Sequence, residues 1–207
     1  TSEYFKINPL YKEKFYSSPE NYVEERLSGI KDKNPTSLLA LNSLLNYGTV
    51  VEIEEETKVK NLINIINLSV DKSSQLIVSP HLIIICKENS EASFSEITYT
   101  KNCWINSLTE IYLEKNAELS YSKYQKAMDK GIKTSSLNCN LNYKSNLDLK
   151  VFNRENCKED IRVFLDGKEA SAKLLNVECA SDGENSRASL CKEKGITGFP
   201  SWEINGR

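Results

Sequence analysis

The sequence predicts a mainly β fold built from short, regularly spaced strands, and three observations carry that prediction. From Thr49 to about Leu175, apolar and polar residues alternate with the two-residue period of a strand. The runs are rich in β-branched and aromatic residues and are separated by polar turns such as Lys87-Glu88-Asn89-Ser90. The turns also resemble one another, so the unit of turn plus strand repeats along the chain.

Residues 1–47 read as helix and loop. Tyr22–Leu27 is helix-compatible, and Gly29 is placed to stop it. Asn34-Pro35-Thr36 opens a second helix, with Leu38, Leu39, Leu41, Leu44 and Leu45 at helical spacing and Gly48 just beyond its end. The strands that follow are Thr49–Ile53, Leu62–Leu68, an apolar run at His81–Cys86, Ala92–Tyr99, Trp104–Leu113 and Leu119–Tyr124. Leu137–Tyr143, Leu147–Phe152, Ile161–Leu165 and Ala170–Leu175 complete the series.

The repeat is visible residue by residue. Lys87-Glu88-Asn89-Ser90-Glu91-Ala92-Ser93-Phe94 aligns with Glu114-Lys115-Asn116-Ala117-Glu118-Leu119-Ser120-Tyr121, and Lys144-Ser145-Asn146-Leu147 is a looser copy. This alignment makes Asn89, Asn116 and Asn146 equivalent, and an asparagine at such a turn readily adopts a positive φ. Asp166-Gly167-Lys168-Glu169-Ala170 is a shorter relative of the same turn. Stacked coils of a β-helix would give this spacing. An antiparallel sandwich would also give many short strands, and the pattern alone fits both.

Bulk properties exclude several classes of function. The 27 basic and 29 acidic residues are interspersed and leave a net charge of −2, so no field draws nucleic acid or an anionic membrane. The longest apolar stretch is broken at Ser79-Pro80, far short of the roughly 20 residues of a membrane span. The first residues lack an apolar signal core and do not begin with Met, so a cytoplasmic protein with a start upstream is expected. None of the six cysteines lies two residues from another, and reduced thiols are the expectation.

The order of the pieces resembles the SufD branch of the SufB/SufD family, the β-helical scaffolds of Suf iron–sulfur cluster assembly. Ala40-Leu41-Asn42-Ser43-Leu44-Leu45 followed by Gly48-Thr49-Val50-Val51-Glu52-Ile53 is similar to the start of the family's β-helix. Asn106-Ser107-Leu108-Thr109-Glu110-Ile111-Tyr112-Leu113-Glu114-Lys115-Asn116-Ala117-Glu118-Leu119 resembles its strand-and-turn unit. Glu159-Asp160-Ile161-Arg162-Val163-Phe164-Leu165-Asp166-Gly167 resembles its Asp-Gly stretch. The resemblance covers about residues 37–175. It implies a right-handed parallel β-helix over residues 48–175, behind an N-terminal helical segment at 1–47. It also implies a non-catalytic scaffold that works with SufB-like and SufC-like partners in a SufBCD complex. No cofactor is held tightly by the chain itself, and an iron–sulfur cluster belongs to the assembled complex. In the family the β-helix continues past the Asp-Gly turn and carries the SufC-docking region there. This chain departs from the pattern near Leu175, so an incomplete β-helix is expected.

Residues 176–207 resemble a different family, the thioredoxin-like domain fused to bacterial vitamin K epoxide reductase homologues. The resemblance rests on Val177-Glu178-Cys179 and on Gly195-Ile196-Thr197-Gly198-Phe199-Pro200-Ser201-Trp202-Glu203-Ile204-Asn205-Gly206. It implies a strand at Ser201–Ile204, a cis proline at Pro200 and a non-catalytic disulfide between Cys179 and Cys191. Thioredoxin chemistry needs a Cys-x-x-Cys, and Arg154-Glu155-Asn156-Cys157 has one cysteine where two are needed. A thiol–disulfide oxidoreductase is therefore the second reading, and a fusion of two gene fragments without independent function is the third.

Other residues carry weaker signals. His81, the lone histidine, reads as structural or exposed. Cys86, Cys103 and Cys139 lie in or beside strands, where stacking could gather thiolates around iron, although core packing is the simpler role. No residue reads as catalytic, and no metal ligand is assigned. Phosphate loops, paired carboxylates and serine triads have no signature in the sequence.

Overall fold

The computed structural model describes residues 5–11, 47–70, 76–154, 157–178 and 202–203, with side chains at 6–7, 48–70, 76–154 and 157–175. Among these residues every regular element is a strand. They are β1 (Phe5–Tyr11), β2 (Tyr47–Ile53), β3 (Ile63–Val70), β4 (Ile77–Val78), β5 (His81–Cys86), β6 (Glu91–Lys101) and β7 (Trp104–Leu113). They continue with β8 (Glu118–Met128), β9 (Ile132–Leu141), β10 (Asn146–Arg154), β11 (Cys157–Leu165), β12 (Ser171–Glu178) and β13 (Trp202–Glu203).

The strands form two sheets. The first has the order β1-β2-β5-β7-β9-β11, with β4 also on β7; the second has the order β13-β12-β10-β8-β6-β3. The chain crosses from one sheet to the other and back, so each coil lays a new strand beside the equivalent strand of the previous coil. Those pairings are parallel throughout the coils. A sandwich of hairpins would have paired sequence neighbours antiparallel. The molecule is a β-solenoid, and the parallel register decides between the two architectures that the sequence pattern left open.

The repeated turn stacks in register with itself. Glu56, Asn89, Asn116, Lys144 and Glu169 all have positive φ, between 54° and 61°. Each of the first four donates its backbone N–H to the turn of the next coil, at 2.9–3.0 Å. Asn116 Nδ2 donates to Asn89 Oδ1 at 2.7 Å, and Asn89 Nδ2 donates to Glu56 Oε1 at 2.6 Å, a side-chain ladder along the axis. The equivalence of Asn146 fails, because that residue opens β10 and Lys144 takes the positive φ. Similarity around Asn-Leu shifted the alignment by two residues, whereas the backbone repeat follows the turn geometry. Gly167 meets a steric need: a Cβ there would stand 2.1 Å from Tyr143 N.

Alternation within each strand fills the space between the sheets. Val51, Ile84, Ile111, Cys139 and Val163 lie in register on the first sheet, and Phe94, Tyr121 and Leu149 lie in register on the second. Together with Ile53, Cys86, Leu113, Leu141, Leu119 and Leu147 they belong to one apolar core beside the repeated turn. Burying each large side chain of this kind contributes about 1.5–3 kcal/mol. The first sheet is also buried on its outward face, at Ile83, Ile85, Leu108 and Tyr112. This explains its unbroken apolar runs and the clean alternation on β6, β8 and β10.

Two boundaries differ from expectation. Phe5–Tyr11, inside the segment read as helix and loop, is a strand paired antiparallel with β2. The alternation of Phe5, Ile7 and Pro9 was too short a signal against the helical patterns that follow. At the other end, β12 continues in parallel register with β10 to Glu178, so Asn176, Val177 and Glu178 belong to the solenoid and not to a tail. Trp202–Glu203 is a strand, as expected, and pairs antiparallel with β12. The helices at Tyr22–Leu27 and Ser37–Leu45, the Cys179–Cys191 pair and the Pro200 peptide lie outside the described residues.

Candidate functional site: a charged cluster inside the coils

The interior changes chemistry across its width. Beside the repeated turn it is apolar, but two residues further along each strand the inward positions become polar and charged. On β6 the inward series Ala92, Phe94 continues to Glu96, Thr98 and Thr100; on β8, Leu119 and Tyr121 continue to Lys123 and Gln125. Facing them on the first sheet are Ser107 and Thr109 of β7, Lys133 and Ser135 of β9, and Glu159 of β11. Glu96, Lys123, Gln125 and Lys133 are completely or almost completely buried.

Such charges are tolerated only when paired and hydrogen-bonded. Lys123 Nζ lies 3.0 Å from Glu159 Oε1, 3.9 Å from Glu96 Oε2 and 2.8 Å from Ser135 Oγ. Glu96 accepts from the Tyr121 hydroxyl, from Thr109 Oγ1 at 3.3 Å and from Asn67 Nδ2 at 2.9 Å. Burial alone would push the Glu96 carboxyl up, but Lys123 and Lys133 outweigh it and hold it below the usual carboxylate range. Burial likewise opposes the Lys123 charge, and Glu159 and Glu96 overcome it. Gln125 Nε2 donates to Asn153 Oδ1 at 2.6 Å and extends the network to β10.

Lys133 differs from Lys123. Its ammonium donates to the Ser107 hydroxyl, and Ser107 Oγ lies 3.0 Å from Ser135 Oγ, which links it to Lys123. Burial, reinforced by the neighbouring Lys123 charge, pushes its pKa down to about 7. The interior therefore holds a lysine that changes charge near neutrality. Ser107, Thr109 and Glu96 also line a cavity of about 220 Å³ between the sheets at the first coils, together with Val51, Ile65 and Asn67.

The family model described as "SUF system FeS cluster assembly, SufBD core domain" matches residues 68–191. The chain belongs to the SufBD core family. No curated protein matches the chain. All four ionisable residues of the interior cluster, Glu96, Lys123, Lys133 and Glu159, lie within the SufBD core match. That match also runs past Leu175 and covers Cys179 and Cys191, the two positions assigned by resemblance to a thioredoxin-like segment.

Among the described cysteines, Cys86, Cys139 and Cys157 occupy sites that oppose thiolate formation. Cys86 and Cys139 are fully buried, and burial pushes both thiols up to about 12. Cys157 faces inward beside Lys133 in the parallel register, and burial pushes it up to about 11. Cys103 sits in a turn, with its Sγ 2.9 Å from Thr100 Oγ1. Among the described residues no group of three or more His, Cys, Asp or Glu side chains converges as a metal site. His81 is nearly buried, and its Nε2 lies 2.7 Å from Glu110 Oε2, while Tyr112 donates to Glu110 Oε1 at 3.1 Å.

The interior cluster is absent from the residues singled out by sequence. The signal was present in the parity of the strands. Glu96 lies two residues after Phe94, and Lys123 two residues after Tyr121, so each shares a face with an aromatic core residue. Charged residues on an otherwise apolar face mark a buried polar site once that face is known to be interior.

Proposed function

We propose that this chain acts as a SufD-like, non-catalytic scaffold in iron–sulfur cluster assembly, working with SufB-like and SufC-like partners in the cytoplasm. The observation that carries the reading is the SufBD core match, which runs from the end of β3 through β12. Iron and sulfide are then cargo of the assembled complex. The burial of Cys86 and Cys139 supports this, because a thiolate ligand must first lose a proton that the apolar interior holds. The chemistry available inside the coils is electrostatic: Glu96, Lys123 and Glu159 lock neighbouring coils together through buried pairs.

The competing reading is a thiol–disulfide oxidoreductase working through residues 176–207. It lacks the two closely spaced cysteines that such exchange requires, and the SufBD core match extends over Cys179 and Cys191. Co-expression of the tagged chain with SufB and SufC from the same cell separates the readings. The scaffold reading expects both proteins in the pull-down and no reduction of insulin by dithiothreitol above background. Soluble chain that recovers neither partner, or that reduces insulin and loses this activity on Cys157→Ser, overturns it.

A further inference from the structure

The outward face of the second sheet differs from that of the first. Ile66 of β3, Ile97 of β6, Tyr124 of β8 and Phe152 of β10 occupy one register row that crosses four coils. The next row places Leu68 and Tyr99 beside them, and the Tyr99 and Tyr124 rings lie 6.1 Å apart. Ile66, Leu68 and Val70 are 66%, 70% and 61% exposed, high values for aliphatic side chains on a regular strand. Cations stand in the rows beside the Ile66 row: Leu68 and Tyr99 continue to Lys126 and Arg154, and Val70 continues to Lys101 and Met128. At the rim, Lys101 pairs with Asp129 at 3.2 Å.

We infer that this stripe is a docking surface for an amphipathic α-helix of a partner protein that carries acidic residues along one edge of its apolar face. Two features select that occupant. Neighbouring coils are separated by about 4.8 Å, close to the roughly 5.4 Å pitch of a helix. A helix along the solenoid axis therefore sets one apolar side chain per turn against each coil, which a flat sheet edge cannot match. The basic row beside the stripe complements acidic side chains at the neighbouring helical positions. A second copy of this chain would instead bring its own Lys101, Lys126 and Arg154 to the interface. This inference is independent of the scaffold reading, because it rests on the outward face alone.

The test uses the full chain and two synthetic helical peptides of about four turns. Both carry leucine at i, i+3, i+7 and i+11, flanked in one by glutamate and in the other by lysine. Fluorescence anisotropy is expected to show binding of the glutamate peptide, weakening with salt, and at least tenfold weaker binding of the lysine peptide. Ile97→Ser and Tyr124→Ser are expected to reduce glutamate-peptide binding about tenfold with the circular dichroism spectrum and melting temperature retained. Lys126→Glu, on the outward face of β8, is expected to shift preference toward the lysine peptide. Equal binding of both peptides, or indifference to Ile97→Ser and Tyr124→Ser, overturns the inference. So does concentration-dependent dimerisation abolished by Tyr124→Ser, or binding of phosphatidylserine vesicles in place of the peptide.

Discussion

Lys133 is the residue whose protonation the interior controls most directly. Its folded pKa of about 7 lies below the ordinary 10.5, so the unfolded chain binds the proton more tightly across that interval. The burial penalty is full below pH 7 and fades as pH rises toward 10.5, so stability rises with pH across this window. Lys133→Met removes the charge but keeps the volume. The variant is expected to be more stable than the parent at pH 7 by about 1 kcal/mol or more, with the advantage shrinking toward pH 10. Urea melts at several pH values check this, and an advantage that does not change with pH contradicts it. The turn residues give a second comparison. Lys144 has a φ of 54°, a conformation that costs a lysine more than a glycine or an asparagine, and its backbone holds the stack. Lys144→Gly is expected to raise the urea midpoint slightly. Asn116→Gly is expected to lower it, because the bond from Asn116 to Asn89 is lost along with the side chain. A rise in both variants would mean that the side-chain ladder contributes nothing.

At the scale of a strand, each inward position serves one of two environments, and substitutions should separate them. Ile111 sits fully buried in the middle of the apolar rows, flanked in register by Ile84 and Cys139. Ile111→Ala is expected to cost about 2–5 kcal/mol as lost burial plus cavity. Tyr121 bridges the two environments, with its ring in the core and its hydroxyl on Glu96. Tyr121→Phe keeps the ring and removes one donor from a buried carboxylate, an expected loss of about 1–3 kcal/mol. Equilibrium denaturation with an unchanged urea slope would attribute both losses to the folded state. If Tyr121→Phe were neutral, the remaining donors to Glu96 would be sufficient by themselves. The same rule of parity identifies β5 and β7 as strands buried on both faces, since their outward residues Ile83, Ile85 and Leu108 are as buried as their inward ones.

Across the whole molecule, parallel stacking makes the coils interdependent. Each coil contributes one strand to each sheet, and the charged cluster spans β6, β7, β8, β9 and β11. The cluster can form only when at least three coils are in register, which ties the polar site to cooperative folding of the solenoid. Thiol labelling reads this out directly. Cys86 and Cys139 are expected to resist iodoacetamide in the native chain and to react together when the coils open, because burial holds their thiols near 12. Rapid native labelling at either position would mean that the coils breathe far more readily than their packing implies.

Much of this architecture was legible before any coordinates. The alternation from Thr49 onward marks almost every strand of the coils, and the shared Asn89 and Asn116 turns reveal the repeat, because strand period and turn chemistry are local properties of the backbone. The short runs at Phe5–Tyr11 and the continuation of β12 to Glu178 were missed, since neither carries enough alternation to compete with its surroundings. What only the tertiary structure decided is non-local. A strand of period two has two faces, and nothing within it states which one turns inward. Phe94 and Glu96 share a face in any extended chain, but only pairing with Tyr121 and Lys123, on the next coil, makes that face an interior. The sequence by itself determined a repeating β protein of the SufB/SufD type. The stacking of its coils determined that Glu96, Lys123, Lys133 and Glu159 lie inside it, because burial depends on which distant strands become neighbours.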